Sequence, residues 1–269
     1  MRFDFGKNWL SYLNSINEDS VSRAKDNIKL WIGDEDISDK RIIDIGCGSG
    51  IHSYSFIKLG AKEVVSFDFD INSVKATSLL FEKAGNPINW HIFQGSILDE
   101  EFINSLGKFD IIYSWGVLHH TGDMWNALIN SIRYFSKSNS CFWLALYQGV
   151  ETYENDLKIK FKYNSSNFFG KKIIVFKDIL NIIKKRRSKG LNPFTWNEKR
   201  GRGMDTYHDL IDWLGGYPYE VCTLSDLENF LKQNGGWRLK KFNDEQACFV
   251  ALFNKSEEDI LPIFQKDFY

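Results

Sequence analysis

The feature that most constrains the fold is a glycine-rich loop between a predicted strand and a predicted helix, in the segment "RIIDIGCGSGIHSYSFIKLG" that begins at Arg41. The short apolar run ends at an acid, Asp44, and glycines follow at Gly46, Gly48 and Gly50. Because glycine lacks Cβ, a ligand can approach such a loop closely, and the start of the next helix favours negative groups. The segment therefore predicts a βαβ unit with a ligand-binding loop.

The alternation of strand and helix continues to Tyr147. Further strands are predicted at "EVVSFD", "INWHIF", "FDIIYSW" and "CFWLALY", and Asp70 is placed to cap a helix from Ile71 to about Ala84. The segment "DMWNALINSIRYF" has apolar residues at helical spacing. This pattern predicts an α/β fold with a doubly wound, mostly parallel sheet, and "CFWLALY" suits a sheet covered on both faces.

After Gln148 the alternation stops, and the chain becomes rich in lysine and aromatic residues. Patterning resumes at "SDLENFLKQNGG", where Ser225 and Glu228 predict a capping box and Gly235 predicts the helix end. "WRLKKF" and "ACFVALF", joined by "NDEQ", predict a closing antiparallel hairpin. The predicted parts are an N-terminal helical cap (1–40), a cofactor-binding Rossmann-like core (41–150), a substrate lid (151–220), and the rest of the core with its hairpin and tail (221–269).

The composition narrows the class of protein. The chain has 269 residues, of which 43% are hydrophobic, which suffices for one large domain with an insertion. No apolar run reaches membrane-spanning length, and the N-terminal stretch does not resemble a signal peptide. The four cysteines form no CxxC pair, so a zinc or other metal site and a disulfide framework are not expected, and a cytoplasmic location is the default.

The charge is unevenly distributed. The net charge is −1, but residues 158–202 hold 14 Lys or Arg and two acidic residues, so this segment carries +12 and the remainder −13. Three interpretations of the basic segment are open. It can be a solvated face, it can bind an anionic substrate such as a nucleotide sugar, or it can lie on an anionic membrane surface and present a lipid-linked substrate. Nucleic acid is disfavoured because no RNA-binding module is recognisable. The oligomeric state is left open.

The loop and its acids indicate the ligand. Asp68 ends the second predicted strand, 22 residues after Gly46, near the spacing at which an acid meets a ribose diol. The glycine spacing is G-x-G-x-G, where the dinucleotide fingerprint is G-x-G-x-x-G, and Asp44 precedes it. A carboxylate there repels a pyrophosphate and attracts an ammonium group. S-adenosylmethionine, which has an amino group, a sulfonium and no phosphate, fits this pattern better than NAD.

At these residues the chain resembles the class I S-adenosylmethionine-dependent methyltransferases, through "RIIDIGCGSG", "VVSFDFD", "FQGSILD" and "FDIIYSWGVLHH". The resemblance covers about Arg41 to Tyr147, and the closing hairpin suits the antiparallel end of that family's seven-stranded sheet. In "FGKNW", "YSWGVLHHTGDMW" and "DWLGGYPYE" the chain is also similar to a smaller, type 11/12-like subgroup of small-molecule methyltransferases.

The resemblance implies a cofactor site at the carboxyl ends of the strands. The first acid and the glycine loop hold the methionine end, Asp68 binds the ribose, and Phe69 covers adenine. The family usually has an acid after the third strand, where this chain has Ser96. The matching residues are Asp44, Gly46, Cys47, Gly48, Ser49, Gly50, Asp68, Phe69, Ser96, Ile97, Ser114 and Trp115.

Two adjacent histidines, His119 and His120, follow the fourth predicted strand. Similar "LHH" loops in sugar and natural-product O-methyltransferases imply that one of them is a general base, and histidine titrates in the right range. The alternative is structural, with one histidine bonded to the backbone and the other capping the next helix.

The expected reaction is methyl transfer from S-adenosylmethionine to an oxygen of a small molecule (a sugar, a glycan precursor or a secondary metabolite), with S-adenosylhomocysteine as product. A nucleic-acid or protein methyltransferase that grips its substrate through residues 158–202, and a non-catalytic cofactor-binding protein, are the alternatives. The candidate acceptor-binding residues are Trp9, Arg202, Tyr207, His208 and Asp212.

Overall fold

The computed structural model describes residue 3 and residues 5–13, 16–33, 37–197, 205–245 and 248–255. Its strands are β1 (Arg41–Ile45), β2 (Glu63–Asp68), β3 (Trp90–Gln94), β4 (Phe109–Trp115), β5 (Ser136–Tyr147), β6 (Trp237–Glu245) and β7 (Cys248–Lys255). Its α-helices are α1 (Phe5–Tyr12), α2 (Glu18–Ile32), α3 (Ile51–Lys58), α4 (Ile71–Lys83), α5 (Glu100–Ser105), α6 (Met124–Phe135), α7 (Tyr153–Ser165), α8 (Phe168–Ser188), α9 (Thr206–Gly215) and α10 (Leu224–Gln233). Short 3-10 turns lie at Leu118–His120 and Pro193–Thr195.

In these residues, seven strands form one sheet in the order β3-β2-β1-β4-β5-β7-β6. The strands β1 to β5 pair in parallel, and β7 is antiparallel to both of its neighbours, β5 and β6. From β1 the chain proceeds to one side through β2 and β3 and later to the other through β4 and β5. This reversal opens a crevice at the carboxyl ends of β1 and β4, where ligands bind in open α/β sheets. The predicted doubly wound fold with a closing hairpin is confirmed.

The sheet is covered on both faces because its buried strands are apolar on both faces. Ile43 and Ile45 of β1 belong to the cluster that contains residues of α5, α6 and α10. Ile42 belongs to the cluster on the opposite face, which contains residues of α2, α3 and α4. Adjacent residues of a strand point to opposite faces, so the side chain of Asp44 lies on the same face as that of Ile42.

The segment after β5 is helical. Helices α7, α8 and α9 pack together around a small separate cluster of Tyr163, Val175 and Leu214. Lys160 of α7 is buried here, and its Nζ donates a hydrogen bond to the carbonyl of Trp213. Aromatic rings surround that nitrogen at 4.6–5.2 Å from their centroids, and burial lowers the pKa of Lys160 to about 7. Among the described residues, no helix combines the length and the low charge of a membrane span.

Three local predictions are wrong. The capping box of α10 is formed by Thr223 and Asp226, two residues before the predicted pair, so Ser225 and Glu228 lie inside the helix. Strand β6 continues through Glu245, which pairs with Cys248, so most of the predicted "NDEQ" turn belongs to the strand. Strand β3 begins at Trp90, and Ile88, which was predicted to be in it, is exposed.

Candidate active site

The glycine loop after β1 is fixed by hydrogen bonds to the end of β2. The amides of Gly46 and Cys47 both donate to the carbonyl of Phe67, at 2.8 and 3.1 Å. The amide of Gly48 donates to Asp68 Oδ2 at 3.1 Å. Gly48 has a φ of +56°, and a Cβ on it would lie 3.0 Å from the indole of Trp9. The loop therefore lines a small cavity beneath Trp9, where only glycine leaves room beside the backbone.

Asp44 is a buried carboxylate at the base of this loop. It accepts a hydrogen bond from Ser53 Oγ, and Ser66 Oγ donates to Ser53 Oγ at 2.8 Å. Burial raises the pKa of Asp44 to about 7, the hydrogen bond from Ser53 opposes the rise, and the charge of Asp68 adds to it. Asp44 lines a small cavity of about 60 Å³ together with Cys47, Gly48 and Ser49. A buried carboxylate in such a place is stabilised by a cationic ligand group.

Asp68 faces a larger cavity of about 460 Å³. Its carboxylate accepts hydrogen bonds from the Gly48 and Asp70 amides, and burial raises its pKa to about 6. A carboxylate has about four acceptor sites, so Asp68 keeps capacity to accept from a hydroxyl group of a ligand. Phe69 and Ile71, which are 51% and 43% exposed, line the same part of the cavity and offer it apolar surface.

Helix α1, which contains the segment "FGKNW", covers this cavity. The amide of Gly6 donates to Asp70 Oδ2 at 2.8 Å, and Asn8 Nδ2 donates to Asp212 Oδ1 at 2.7 Å. Trp9 lines both cavities and covers the glycine loop. Phe5 lies 5.1 Å from the ring of His120, centroid to centroid. The helix thus contacts the cavity both at the glycine loop and at the end that contains His120.

The other end of the cavity contains both histidines. His119 is fully buried, and its Nδ1 accepts a hydrogen bond from the Tyr147 amide at 3.3 Å. An amide can only donate, so neutral His119 carries its proton on Nε2. No atom of the described residues pairs with that Nε2. Burial lowers the pKa of His119 well below its usual value, and His120 and Lys160 lower it further, so the ring stays neutral.

His120 has the opposite tautomer. Its Nδ1 lies 2.6 Å from the carbonyl of Pro218, which can only accept, so Nδ1 carries the proton and Nε2 the lone pair of the neutral ring. The ring centroids of His119 and His120 are 4.3 Å apart. Both rings line the large cavity, and their neutral forms differ: His119 is a donor at Nε2 and His120 an acceptor at Nε2.

The structure brings most of the sequence-based candidates together. The large cavity is lined by Trp9, Gly46, Asp68, Phe69, Ser96, Ile97, Trp115, His119, His120 and Asp212. Gly50 and Ser114 lie outside both cavity linings: Gly50 packs on Thr77 of α4, and Ser114 Oγ donates to the Ile45 carbonyl. Neither lining includes Tyr207 or His208, and the His208 ring pairs with Asp205 at 2.8 Å. Arg202 lies outside the described residues.

Several lining residues were not anticipated from the sequence. Phe5, Tyr147 and Asp209 line the large cavity. Burial raises the pKa of Tyr147, and the charges of Asp209 and Asp212 add to the rise, so its phenol stays protonated. Only the position of Tyr147, at the carboxyl end of a central strand, could have identified it in advance.

Comparison with known proteins agrees with this geometry. Residues 42–139 match the family model described as "Methyltransferase domain". Residues 42–139 of this chain are therefore similar to a methyltransferase domain. Magnesium protoporphyrin IX methyltransferase from Synechocystis PCC 6803, solved with bound SAH, matches the fold with a TM-score of 0.53 and 14% identity, over 88% of this chain and 83% of that chain. The N-terminal domain of EvdMO1, solved with SAH and D-fucose, matches with a TM-score of 0.52 and 13% identity, over 90% of this chain and 84% of that chain.

The curated relatives match only part of this chain. A ribosomal protein L11 methyltransferase from Psychrobacter sp. (strain PRwf-1) is 55% identical over 81 residues, which is 30% of this chain and 25% of that protein. A tRNA U34 carboxymethyltransferase from Idiomarina loihiensis is 32% identical over 93 residues, or 32% of this chain and 26% of that protein. The chain thus spans about a quarter of the length of these relatives. They act on protein and tRNA, so the expectation against nucleic acid finds no support here.

Solved structures that share this fold contain SAH or SAM, and the site fits the chemistry of S-adenosylmethionine. Asp44 and Ser49 would hold the amino-acid end beside the glycine loop, and Asp68 would accept from the ribose hydroxyls. Ser96 would lie near adenine, and its Oγ already accepts from the Leu98 amide at 3.1 Å. A buried carboxylate, Asp44, and a half-buried one, Asp68, flank the glycine loop, and this arrangement suits a cationic, ribose-bearing ligand and not a pyrophosphate.

Proposed function

We propose that this protein transfers the methyl group of S-adenosylmethionine to an oxygen of a small, hydroxyl-bearing acceptor such as a sugar, a glycan precursor or a secondary metabolite. The single observation that carries the proposal is one continuous cavity, which joins Asp68 and Phe69 at one end to His119, His120 and Tyr147 at the other. When bound, S-adenosylmethionine supplies a methyl group on a sulfonium. The protein aligns the acceptor with that methyl group and excludes water, chiefly through Trp9 and Trp115.

In this proposal the histidines have different roles. Nε2 of His120 would accept the proton of the acceptor hydroxyl, whose oxygen would receive the methyl group that the bound cofactor supplies. The Nδ1–H of His120 stays bonded to the Pro218 carbonyl, which keeps the ring oriented. His119 donates its Nε2–H to the acceptor and positions it.

The charges of the cavity favour an uncharged acceptor. Asp209 and Asp212 line the acceptor end, and no lysine or arginine of the described residues lines the cavity. Carboxylates accept hydrogen bonds from hydroxyl groups and repel phosphates. The similarity to a domain solved with SAH and D-fucose supports a hydroxyl-rich acceptor, and the anionic substrate considered from the sequence has less support.

A screen with isotopically labelled cofactor tests the proposal. Purified protein is incubated with heavy-methyl S-adenosylmethionine and a small-molecule extract, and mass spectrometry detects labelled products. We expect a labelled, hydroxyl-derived product from the wild type and the Glu82→Ala control, whose site on α4 is outside the cavity lining, and none from Asp68→Ala. Binding of S-adenosylmethionine without any labelled product from any pool would instead indicate a non-catalytic cofactor-binding protein.

A macromolecular acceptor is the second candidate, because the curated relatives include enzymes named for ribosomal protein L11 and tRNA. The same labelled cofactor, offered with total tRNA and with ribosomal proteins, separates the two. Label in either macromolecular pool, and none in the small-molecule pool, would replace our proposal with this one.

A further inference from the structure

Helix α8 carries an apolar stripe that faces away from the protein. Phe169, Ile173, Phe176 and Leu180 follow one another at intervals of four, three and four residues, which places them on one face of the helix. Their exposed fractions are 74%, 56%, 60% and 39%. The opposite face of α8 packs inward, with Val175 buried in the small cluster between the lid helices. Four large apolar side chains in a row on the surface therefore need a partner.

Lysines border the stripe on both sides. By helical position, Lys172 lies on one side and Lys177 and Lys184 lie on the other, and all three are exposed. The last turn adds Lys185, Arg186 and Arg187, and Asp178 is the only acid of α8, half-buried on the inward side. An apolar stripe bordered by lysines is the pattern of a helix that lies in the headgroup region of a membrane.

We propose that α8 docks this protein on the surface of a membrane that contains anionic lipid. The positive charge beside the apolar stripe favours an anionic lipid surface over the other possible partners. A second copy of the chain would bring two positively charged stripes together in a symmetric contact. Nucleic acid would neutralise the lysines but would leave the four apolar side chains in water. Anionic headgroups pair with the lysines while the stripe enters the acyl boundary.

The neighbouring helix α7 extends the surface and links it to the active site. Phe161 of α7 is 57% exposed, and Phe168 at the start of α8 is 65% exposed. Helix α9 packs against α7 and α8 and carries Asp209 and Asp212 into the acceptor end of the cavity. Docking would therefore hold the membrane against the same helical layer that borders the acceptor end.

Vesicle sedimentation tests the proposal with the full chain. The vesicles are phosphatidylcholine alone, or phosphatidylcholine mixed with phosphatidylglycerol. We expect binding to the mixed vesicles only. The stripe variant Phe169→Ser/Phe176→Ser and the charge variant Lys172→Gln/Lys177→Gln/Lys184→Gln should each weaken that binding by about tenfold or more.

Matched controls come from exposed residues of other elements. Leu79→Ser/Ile88→Ser removes apolar surface, and Lys62→Gln/Lys75→Gln/Lys83→Gln removes three lysines, and both should bind like the wild type. Circular dichroism checks that every variant is folded. Equal binding to both vesicle types, or no binding to either, would overturn the proposal. So would light scattering that shows a wild-type dimer and a monomeric stripe variant, or salt-sensitive RNA binding that survives loss of the stripe.

Discussion

At the scale of single residues, the backbone partners of the two histidines decide what each can do. The Tyr147 amide fixes His119 as a donor at Nε2, and the Pro218 carbonyl fixes His120 as an acceptor at Nε2. We expect His120→Ala to lower kcat by about 10²-fold or more and to remove the rise of the rate with pH that a general base produces. His119→Ala should raise KM for the acceptor and keep that pH profile. Steady-state kinetics across pH would separate the two roles. If only His119→Ala lost the rise of the rate with pH, His119 and not His120 would be the general base.

The buried carboxylate of Asp44 links stability to function at the same scale. Its pKa in the folded protein is about 7, above the ordinary 3.8, so the folded state binds the proton more tightly than the unfolded chain. The free energy of unfolding therefore falls as the pH rises from about 4 to about 7, by on the order of 4 kcal/mol at most from this group. Asp44→Asn should be more stable than the wild type near pH 8, and the difference should shrink toward pH 4.

Urea unfolding at pH 4 and pH 8 measures the difference in stability between Asp44→Asn and the wild type. Calorimetry with S-adenosylmethionine measures the change in cofactor affinity. The variant should bind the cofactor more weakly, because it lacks the charge that attracts an ammonium group. A variant that is no more stable near pH 8 would show that burial of the Asp44 carboxylate does not destabilise the free protein. Retained affinity would show that Asp44 does not contact the ammonium group.

Residue types and spacing predicted that the glycines and acids of the candidate cofactor site would lie close together. Three glycines and two acids around consecutive strands lie together because parallel strands end at one edge. The roles of the histidines could not be read in the same way, because each depends on a carbonyl or amide that is distant in sequence, 98 residues away for His120 and Pro218.

At the scale of elements, α1 depends on a close contact with α4. A Cβ on Gly6 would lie 2.5 Å from both Asn72 Cβ and the Ser73 amide nitrogen, which are parts of α4 that cannot move aside easily. Gly6→Ala should therefore displace α1, with an overpacking cost of about 1–3 kcal/mol, and Trp9 should no longer cover the glycine loop. We expect the Kd for S-adenosylhomocysteine to rise about tenfold, which corresponds to about 1.4 kcal/mol.

Calorimetry with Lys7→Ala, an exposed neighbour on the same helix, provides the control. Unchanged affinity in Gly6→Ala would mean that α1 takes no part in holding the cofactor. The sequence favoured a role for "FGKNW" only through family resemblance, because a glycine at a helix crossing looks like any helical glycine until its neighbour is known.

Element boundaries were less predictable than the elements. The end of β6 and the capping box of α10 were placed wrongly because polar residues such as "NDE" and "TLSD" suit both a turn or cap and the element beside it. Strong apolar periodicity, as in α6, left no such ambiguity about the helix itself. Asp70 caps α4 as predicted, and Asp123 caps α6.

At the scale of the whole molecule, the sheet could be predicted and the lid could not. Each parallel strand contains apolar residues and is followed by a helical segment, a repeat that permits few topologies. The lid helices have no such constraint. Helix α8 carries lysines and apolar residues on a face that the protein itself does not cover. The sequence alone could not distinguish a helix that packs on the protein from one that docks on a membrane.

The sheet and the lid helices both line the cavity, so a ligand bound there should stabilise the whole fold. With S-adenosylhomocysteine at about a hundred times its Kd, the free energy of unfolding should rise by about 2.7 kcal/mol, and Tm should rise by several degrees. The Glu82→Ala control should shift equally and Asp68→Ala should not shift. NAD should leave Tm unchanged, because Asp44 ahead of the loop repels a pyrophosphate. A larger shift with NAD or a nucleoside triphosphate would mean that the loop binds phosphates, and the proposed reaction would fail with it.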